Sequence, residues 1–219
     1  QQQSRSRPPV SMQLPRATSN QLIPHVRALA ESLQSASKLR LCREVNLVRR
    51  EMARSQAPGE PHLLVAGLAL AAEALRRTMN VTLYDVQLLA AISMSRRCIA
   101  QMQTGEGRTF AVLAAALHLA LTGRGVHVIT SNEYLAERDY KVAAKVAEPL
   151  GISLALLPPG MDVVEKTAAY DADITYGTAY GFCCDYLRDQ SALRERSRQC
   201  ADDRQLHKLR QKSASGCTT

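Results

Sequence analysis

Short runs typical of β-strands alternate with helix-like patterns through the central part of the chain, and this alternation restricts the fold more than any other feature. The clearest run is Val126–Thr130, in which β-branched residues predominate. Three further strands are predicted at Cys98–Gln101, Ile152–Leu157 and Asp173–Tyr176. Because strands separated by helices favour a parallel sheet with right-handed crossovers, the sequence predicts an α/β fold.

Helices are predicted before and between these strands. Their approximate ranges are residues 62–79, 85–95, 109–121, 132–150 and 166–170. Asn132 is suited to cap the fourth of these helices, and Gly151 is suited to end it. Upstream, apolar residues at helical spacing predict one or two basic amphipathic helices between residues 21 and 56: Leu22, Val26, Leu29 and Leu33.

A glycine-spaced turn lies where a predicted strand meets a predicted helix. In Met102–Thr109, Gly105 and Gly107 let the backbone approach an anion closely, because glycine tolerates positive φ and carries no side chain. The amides that open the next helix point at the same position, where the helix dipole favours negative charge. The turn indicates a phosphate loop, with Thr109 at the position whose hydroxyl meets Mg²⁺.

This loop departs from the general pattern G-x-x-x-x-G-K-[ST] at two positions. Met102 stands at the first glycine and Arg108 at the lysine. Arginine keeps the positive charge, but its planar guanidinium is bulkier than an ammonium group and prefers a different geometry. Two interpretations of the local pattern therefore stay open, a nucleotide-binding loop and a plain tight turn from strand to helix.

The positive charge of the chain is concentrated at its two ends. The net charge is +8, to which residues 1–61 contribute +6, residues 62–189 contribute −2 and residues 190–219 contribute +4. A near-neutral centre with 4% aromatic residues argues against a nucleic-acid track. Basic ends are most often simply solvated, and where one binds a partner, anionic lipid is the expected target.

Composition divides the chain into four parts. We predict a disordered N-terminus over residues 1–20, a basic helical extension and linker over 21–61, the main domain over 62–189, and a charged, disordered tail over 190–219. The six cysteines lack Cys-x-x-Cys spacing and are predicted to be reduced thiols of a cytosolic protein. The apolar run Leu63–Ala72 is about half the length of a membrane span and predicts a buried helix.

Several blocks of sequence resemble the start of the motor domain of the SecA family, the bacterial preprotein-translocation ATPases. They follow the family order between about residue 63 and residue 189: Tyr84–Leu89, Arg97–Ala100, Met102–Thr109, Thr122–Thr130, Asn132–Asp139, Ala169–Thr178 and Asp185–Asp189. The resemblance implies a partial RecA-like, DEAD-type P-loop NTPase domain, in which helices flank a parallel sheet. The N-terminal helical extension predicted above from periodicity precedes this domain.

The same resemblance implies a ligand and its binding residues. ATP is the implied ligand, with Mg²⁺ accompanying it at Thr109. Gln87 matches the family's adenine-reading glutamine, whose amide can donate and accept at once, and Tyr84 matches an aromatic residue beside the base. The phosphates are assigned to the loop residues Thr104, Gly105, Glu106, Gly107, Arg108 and Thr109. No catalytic residue is assigned.

The acidic strand that the family places after the Asp185–Asp189 block has no counterpart in this sequence. No Asp-Glu-x-Asp follows that block, and no apolar strand precedes Asp202 and Asp203. We therefore expect an ATP-binding protein related to protein export, whose hydrolysis by this chain alone is weak or absent. Two alternatives stay open, a non-catalytic interaction protein that retains the motor fold and a fragment of a DEAD-type helicase.

The resemblance and the charge distribution together suggest partners and a location. The expected partners are an adenine nucleotide, the protein-export machinery and an anionic membrane surface, whereas nucleic acid is not expected. The expected location is the cytoplasm, including the periphery of the inner membrane.

Overall fold

The structure, a computed structural model, describes residues 16–55 and 59–195. The helices of this part are α1 (Arg16–Gln34), α2 (Lys38–Arg54), α3 (Pro61–Met79), α4 (Asp85–Ser95), α5 (Arg108–Ala120), α6 (Glu133–Ala147), α7 (Val163–Tyr170) and α8 (179–195). A short 3₁₀ turn, Glu148–Leu150, follows α6. The strands are β1 (Val126–Thr130), β2 (Leu154–Leu156) and β3 (Ile174–Thr178).

Within the described residues, the three strands form one parallel sheet in the order β1-β3-β2. Ile174 of β3 is in register with Val126 of β1 on one side and with Leu154 of β2 on the other. Helices connect the strands, as parallel pairing requires. The predicted fold class, a partial RecA-like domain with helices on a parallel sheet, is confirmed.

Alternating side chains of the strands build two apolar clusters on opposite faces of the sheet. Ile174 and Tyr176 of β3 point into the large core, on the face that α5 and α6 cover. Gly177 lies on the other face, where Phe182 of α8 packs against it. Phe182 also stacks on His127 of β1 with ring centroids 4.7 Å apart, and burial lowers the pKa of His127.

The N-terminal helices share the large core with the sheet. Val26 of α1 and Leu41 of α2 are fully buried together with Leu64 and Leu68 of α3, and α3 in turn packs on α5 and α6. Arg96, at the end of α4, donates a hydrogen bond of 3.0 Å to the Ser19 hydroxyl of α1. The predicted basic helical extension is therefore an integral layer of the fold.

Two predicted boundaries differ from the structure. Residues 16–20, predicted as disordered, form the first turns of α1, because the buried residues that follow anchor that helix; residues 1–15 lie outside the described part. The helix α8 runs across the predicted start of the charged tail at residue 190, and residues 196–219 also lie outside the described part.

The predicted strand Cys98–Gln101 is wrong, because this segment is irregular. The Cys98 amide donates to the Ser93 carbonyl at 2.9 Å, back towards the end of α4, and the Ile99 side chain is largely exposed. An apolar run adopts a strand only where a neighbouring strand accepts its backbone hydrogen bonds. Among the described strands, none pairs with this segment.

Among the described residues, no helix has the length and apolar character needed to cross a membrane. The predicted buried helix over the apolar run of α3 agrees with the burial of Leu63 and Leu70.

Candidate nucleotide site

The loop between α4 and α5 is shaped by two glycines with left-handed backbones. Gly105 has φ 93° and Gly107 has φ 74°, conformations that side chains of L-residues rarely adopt. Gly107 is also the N-cap residue of α5 and provides no side chain to its first amides. Because the first turn of a helix leaves amides without intrahelical partners, the start of α5 presents backbone donors at the loop.

The predicted adenine reader, Gln87, is a tether for this loop in the structure. Its side chain is 4% exposed, and its Nε2 donates to the Glu106 carbonyl at 2.9 Å. Its Oε1 accepts the backbone N–H of Tyr84, also at 2.9 Å, which closes the start of α4. Both functions of the amide are thus used by the protein. Contact between Gln87 and an adenine stays a prediction, and it requires at least one of these bonds to exchange.

The beginning of α4 receives a second anchor from α1. Arg27 forms an ion pair with Asp85, in which the Nε to Oδ1 distance is 3.0 Å, and donates to the Leu83 carbonyl at 3.1 Å. Tyr84 lies between these contacts and Gln87 with its ring exposed to solvent. The fold therefore places Gln87 against the loop and Tyr84 next to Gln87, while a base site at these two residues stays a prediction.

The loop is closed internally by its own side chains. The Arg108 Nη2 donates to the Met102 carbonyl at 2.6 Å, across the width of the loop. The Glu106 carboxylate accepts the Gln103 amide at 2.7 Å. Thr104 lies in the exposed turn between these two contacts. The predicted phosphate residues are thus held together in one short loop, and the guanidinium of Arg108 is engaged with the Met102 carbonyl.

Sequence reasoning missed one cation at this site, Arg138. From the second turn of α6 its Nη2 donates to the Thr109 hydroxyl at 3.4 Å, and its Nε and Nη2 bond the Asp139 carboxylate at 2.9 and 2.7 Å. Arg138 lies in the Asn132–Asp139 block, in which no ligand-binding residue is assigned from the sequence. The contact with Thr109 spans 29 positions, and spacing along the chain gives no signal for it.

The oxygen ligands expected around Mg²⁺ are scarce at Thr109. Mg²⁺ is usually held by one or two carboxylates together with phosphate oxygens and waters. In the part of the chain that is described, no cluster of three or more His, Cys, Asp or Glu residues is arranged to hold a metal ion. The Thr109 hydroxyl accepts a hydrogen bond from Arg138, and the Glu106 and Asp139 carboxylates are engaged as described above. Magnesium binding at Thr109, together with a nucleotide, stays a prediction.

Comparison with known proteins assigns the family. A sequence model of the SecA DEAD-like domain matches residues 10–210. The chain belongs to this SecA family. The match extends well beyond the predicted blocks, since it includes α1 and α2, which agrees with their burial in the common core.

Two curated relatives are similar over most of this chain. It is 41% identical over 171 residues to the protein translocase subunit SecA of Carboxydothermus hydrogenoformans, an alignment that covers 78% of this chain and 19% of that protein. It is 40% identical over 170 residues to the protein of the same name from Buchnera aphidicola subsp. Schizaphis graminum, covering 77% and 19%. The chain thus spans about a fifth of the length of these SecA relatives.

The block Asp185–Asp189, the last of those that resemble SecA, connects α8 to α7. The Asp185 carboxylate accepts hydrogen bonds from Lys166 at 2.7 Å and from the Tyr170 hydroxyl at 3.0 Å, and pairs with Arg188 at 3.1 Å. Burial by itself raises the pKa of Asp185, but the bonds from Lys166 and Tyr170 outweigh it and hold that pKa below its usual range. The block therefore fixes α8 to α7.

Proposed function

We propose that this chain binds ATP at the loop Met102–Thr109 and takes part in protein translocation as a piece of a SecA-type motor. The observation that carries the proposal is the loop geometry. Two positive-φ glycines and the uncapped start of α5 bring backbone donors to the loop, and Gln87 bonds the loop to α4. Backbone donors at a helix N-terminus suit a polyphosphate. The role in translocation is supported by the names of the two relatives.

The proposed roles follow from position. The Gly105 to Thr109 backbone receives the phosphates, Arg108 supplies positive charge to them after leaving the Met102 carbonyl, and Tyr84 lies against the base. Phosphoryl transfer depends on cations and on groups that position water around the transferred phosphate. Because the described site offers no free carboxylate beside Thr109, we propose negligible hydrolysis by this chain alone. The family match favours translocation over the helicase alternative.

Replacing Arg108 by lysine tests this proposal. The guanidinium of Arg108 is held by the Met102 carbonyl, whereas an ammonium is compact and follows a phosphate more freely. We expect Arg108→Lys to tighten ADP and ATP binding about three- to tenfold, and Arg108→Gln to weaken it about tenfold or more. Calorimetric titration of both nucleotides measures the change.

The folded state of each variant is checked by circular dichroism, and phosphate release from ATP is followed in parallel. Absence of saturable heat with ADP and ATP in the wild type and in Arg108→Lys, when both proteins are folded, contradicts nucleotide binding. It would favour the alternative of a non-catalytic interaction protein.

A second candidate function, binding of an anionic membrane surface, is favoured by the outer face of α2. Four arginines and one leucine line this face at spacings of three and four residues, and all are exposed: Arg40, Arg43, Leu47, Arg50 and Arg54. The opposite face of α2 is buried through Leu41 and Met52. A basic stripe of this kind suits anionic headgroups, each arginine near the surface contributing about 1 kcal/mol.

Vesicle flotation tests the stripe. The wild type is expected to float with phosphatidylglycerol vesicles and not with phosphatidylcholine vesicles, and to be released by high salt because the attraction is screened. The double substitution Arg43→Glu/Arg50→Glu is expected to abolish flotation. The matched control, Arg124→Glu/Lys145→Glu, makes the same change in net charge at exposed positions outside α2. Equal flotation of the two double variants would contradict the assignment to α2.

A further inference from the structure

Two arginines of the described part join α1 to α4, one at each end of α4. At the start of α4, Arg27 of α1 pairs with Asp85 and donates to the Leu83 carbonyl at 3.1 Å. At the end of α4, Arg96 donates to the Ser19 hydroxyl of α1 at 3.0 Å. Because α4 has 11 residues, the two connections are separated by about 16 Å along the helix. The Arg27 connection lies at the end of α4 that carries the predicted base residues, and the Arg96 connection lies at the other end.

The Arg27 guanidinium is bonded to the residues on both sides of Tyr84. Its Nε lies 3.0 Å from the Asp85 Oδ1, one residue after Tyr84, and its Nη2 bonds the Leu83 carbonyl, one residue before Tyr84. Tyr84 itself is the N-cap residue of α4, and its amide donates to the Gln87 Oε1 at 2.9 Å. The backbone of Tyr84 is thus held from α1 by Arg27 and from within α4 by Gln87.

Tyr84 is 71% exposed although its backbone is held in this way. An exposed aromatic ring on a fixed backbone offers a flat ligand a stacking surface that is already in place, so less freedom is lost when the ligand binds. The side chains of Arg27 and Asp85 are themselves 38% and 68% exposed. Exposed ion pairs of this kind contribute little to the stability of a fold. The consequence of the Arg27 bonds is therefore local, at the segment that carries Tyr84.

We propose that Arg27 is a positioning residue of the nucleotide site, which holds Tyr84 where its ring stacks on the base of a bound adenine nucleotide. The inference rests on the proposed nucleotide binding and adds to it a residue of α1 that acts without contacting the ligand. Arg27 acts through Leu83 and Asp85, whose bonds to the guanidinium fix the backbone that carries the ring. Its contribution therefore belongs to the base end of the ligand and not to the phosphate end.

Calorimetric titration of the full chain with ADP and with tripolyphosphate, in the same magnesium buffer, separates the two ends of the ligand. Arg27→Gln is expected to weaken ADP binding about three- to tenfold and to leave tripolyphosphate binding within about twofold. The matched control is Arg96→Gln, which removes the other bond between α4 and α1 and is expected to leave the binding of both ligands within about twofold. Asp85→Asn, in which the Leu83 bond remains, is expected to weaken ADP binding less than Arg27→Gln does.

A double-mutant cycle with Tyr84→Ala tests whether Arg27 acts through the ring. In the Tyr84→Ala protein, Arg27→Gln is expected to change the ADP dissociation constant by less than about twofold, because no ring is left to position. A purely structural role of Arg27 would weaken ADP binding equally with and without the ring. An equal effect in the two backgrounds therefore overturns the inference.

The remaining outcomes separate the inference from the proposed function. Unchanged ADP affinity in Arg27→Gln, or equal weakening of ADP binding in Arg27→Gln and Arg96→Gln, overturns the inference and leaves nucleotide binding standing. Absence of ADP binding by the folded wild type overturns both. Circular dichroism checks the fold of each variant. Where Arg27→Gln fails to fold, Asp85→Asn at its exposed carboxylate decides the question, and unchanged ADP affinity in that variant overturns the inference.

Discussion

Replacing Glu73 by alanine is expected to lower the free energy of unfolding by roughly 1.5–3 kcal/mol, because it removes a buried carboxylate that accepts hydrogen bonds from two arginines. The Glu73 side chain is 1% exposed and bonds Arg76 at 2.8 and 2.9 Å as well as the Nε of Arg77. Arg77 in turn donates to the carbonyls of Leu33 and Ala36, at the end of α1, each at 2.7 Å. Loss of Glu73 removes the carboxylate that orients Arg77 towards these carbonyls, while Arg76 and Arg77, which are 36% and 23% exposed, turn to water.

Urea unfolding of Glu73→Ala measures this loss, and Glu137→Ala is its matched control. Glu137 also pairs with a residue four positions on, Lys141, but both side chains are more than half exposed. Exposed pairs of this kind contribute about 0.5 kcal/mol or less. Similar losses in the free energy of unfolding of the two variants would contradict the prediction that the Glu73 cluster stabilises the protein more than an exposed pair does.

The Glu73 cluster also makes the free energy of unfolding depend on pH. Burial by itself raises the pKa of Glu73, but hydrogen bonds from Arg76 and Arg77 outweigh it and hold the pKa below its ordinary value of 4.5. A carboxyl whose pKa is depressed by folding stabilises the protein above the unfolded-state pKa, and this contribution is lost as the pH falls through the folded-state pKa. The difference in stability between the wild type and Glu73→Gln is therefore expected to be constant near neutral pH and to shrink below about pH 4.5.

Substitution of Gly107 by alanine is expected to weaken ADP binding more than about tenfold, because it forces the loop off Gln87. A Cβ at Gly107 would lie 2.2 Å from the Gln87 Nε2, and Gln87 is buried and bonded on both sides. The amide then has to leave the Glu106 carbonyl. The backbone φ of 74° adds a cost of about 1 kcal/mol for any residue with a side chain.

Gly125→Ala separates backbone strain from the clash. Gly125 has the same φ, 74°, but a Cβ there has no atom within 4 Å. Both alanine variants should therefore lose stability in urea, by about 1 kcal/mol from the left-handed backbone alone, while calorimetry detects weaker ADP binding in Gly107→Ala only. Undiminished ADP binding by Gly107→Ala would mean that Gln87 does not position the loop for a ligand.

Local signals in the sequence predicted most of this fold. The β-branched run of β1, the Asn132 cap of α6 and the glycines of the loop each act within a few residues, so a pattern reveals them. Features that depend on a distant partner were not predictable in the same way. The apolar Cys98–Gln101 run has strand character but no partner among the described strands, and it is irregular.

The same distinction between local and long-range features decides which residues of the candidate site could be predicted. The loop residues and Gln87 could be predicted as a candidate site because their types and spacing are local and match a family pattern. Arg138 was missed because its contact with Thr109 is made across the fold. Helical periodicity likewise identified the apolar face of α1, through Val26 and Leu33, but it could not tell that this face belongs to the common core.

The first turn of α4 is where two long-range tethers meet. Arg27 of α1 binds Asp85 and the Leu83 carbonyl, and Gln87, three residues after Tyr84, carries the loop. The same turn therefore carries a bond to α1 and a bond to the loop. If occupancy of the loop and displacement of α1 are coupled through this turn, each alters the equilibrium of the other by the same factor. The N-terminal helix is thereby connected to the loop through two side chains of the described part, Arg27 and Gln87.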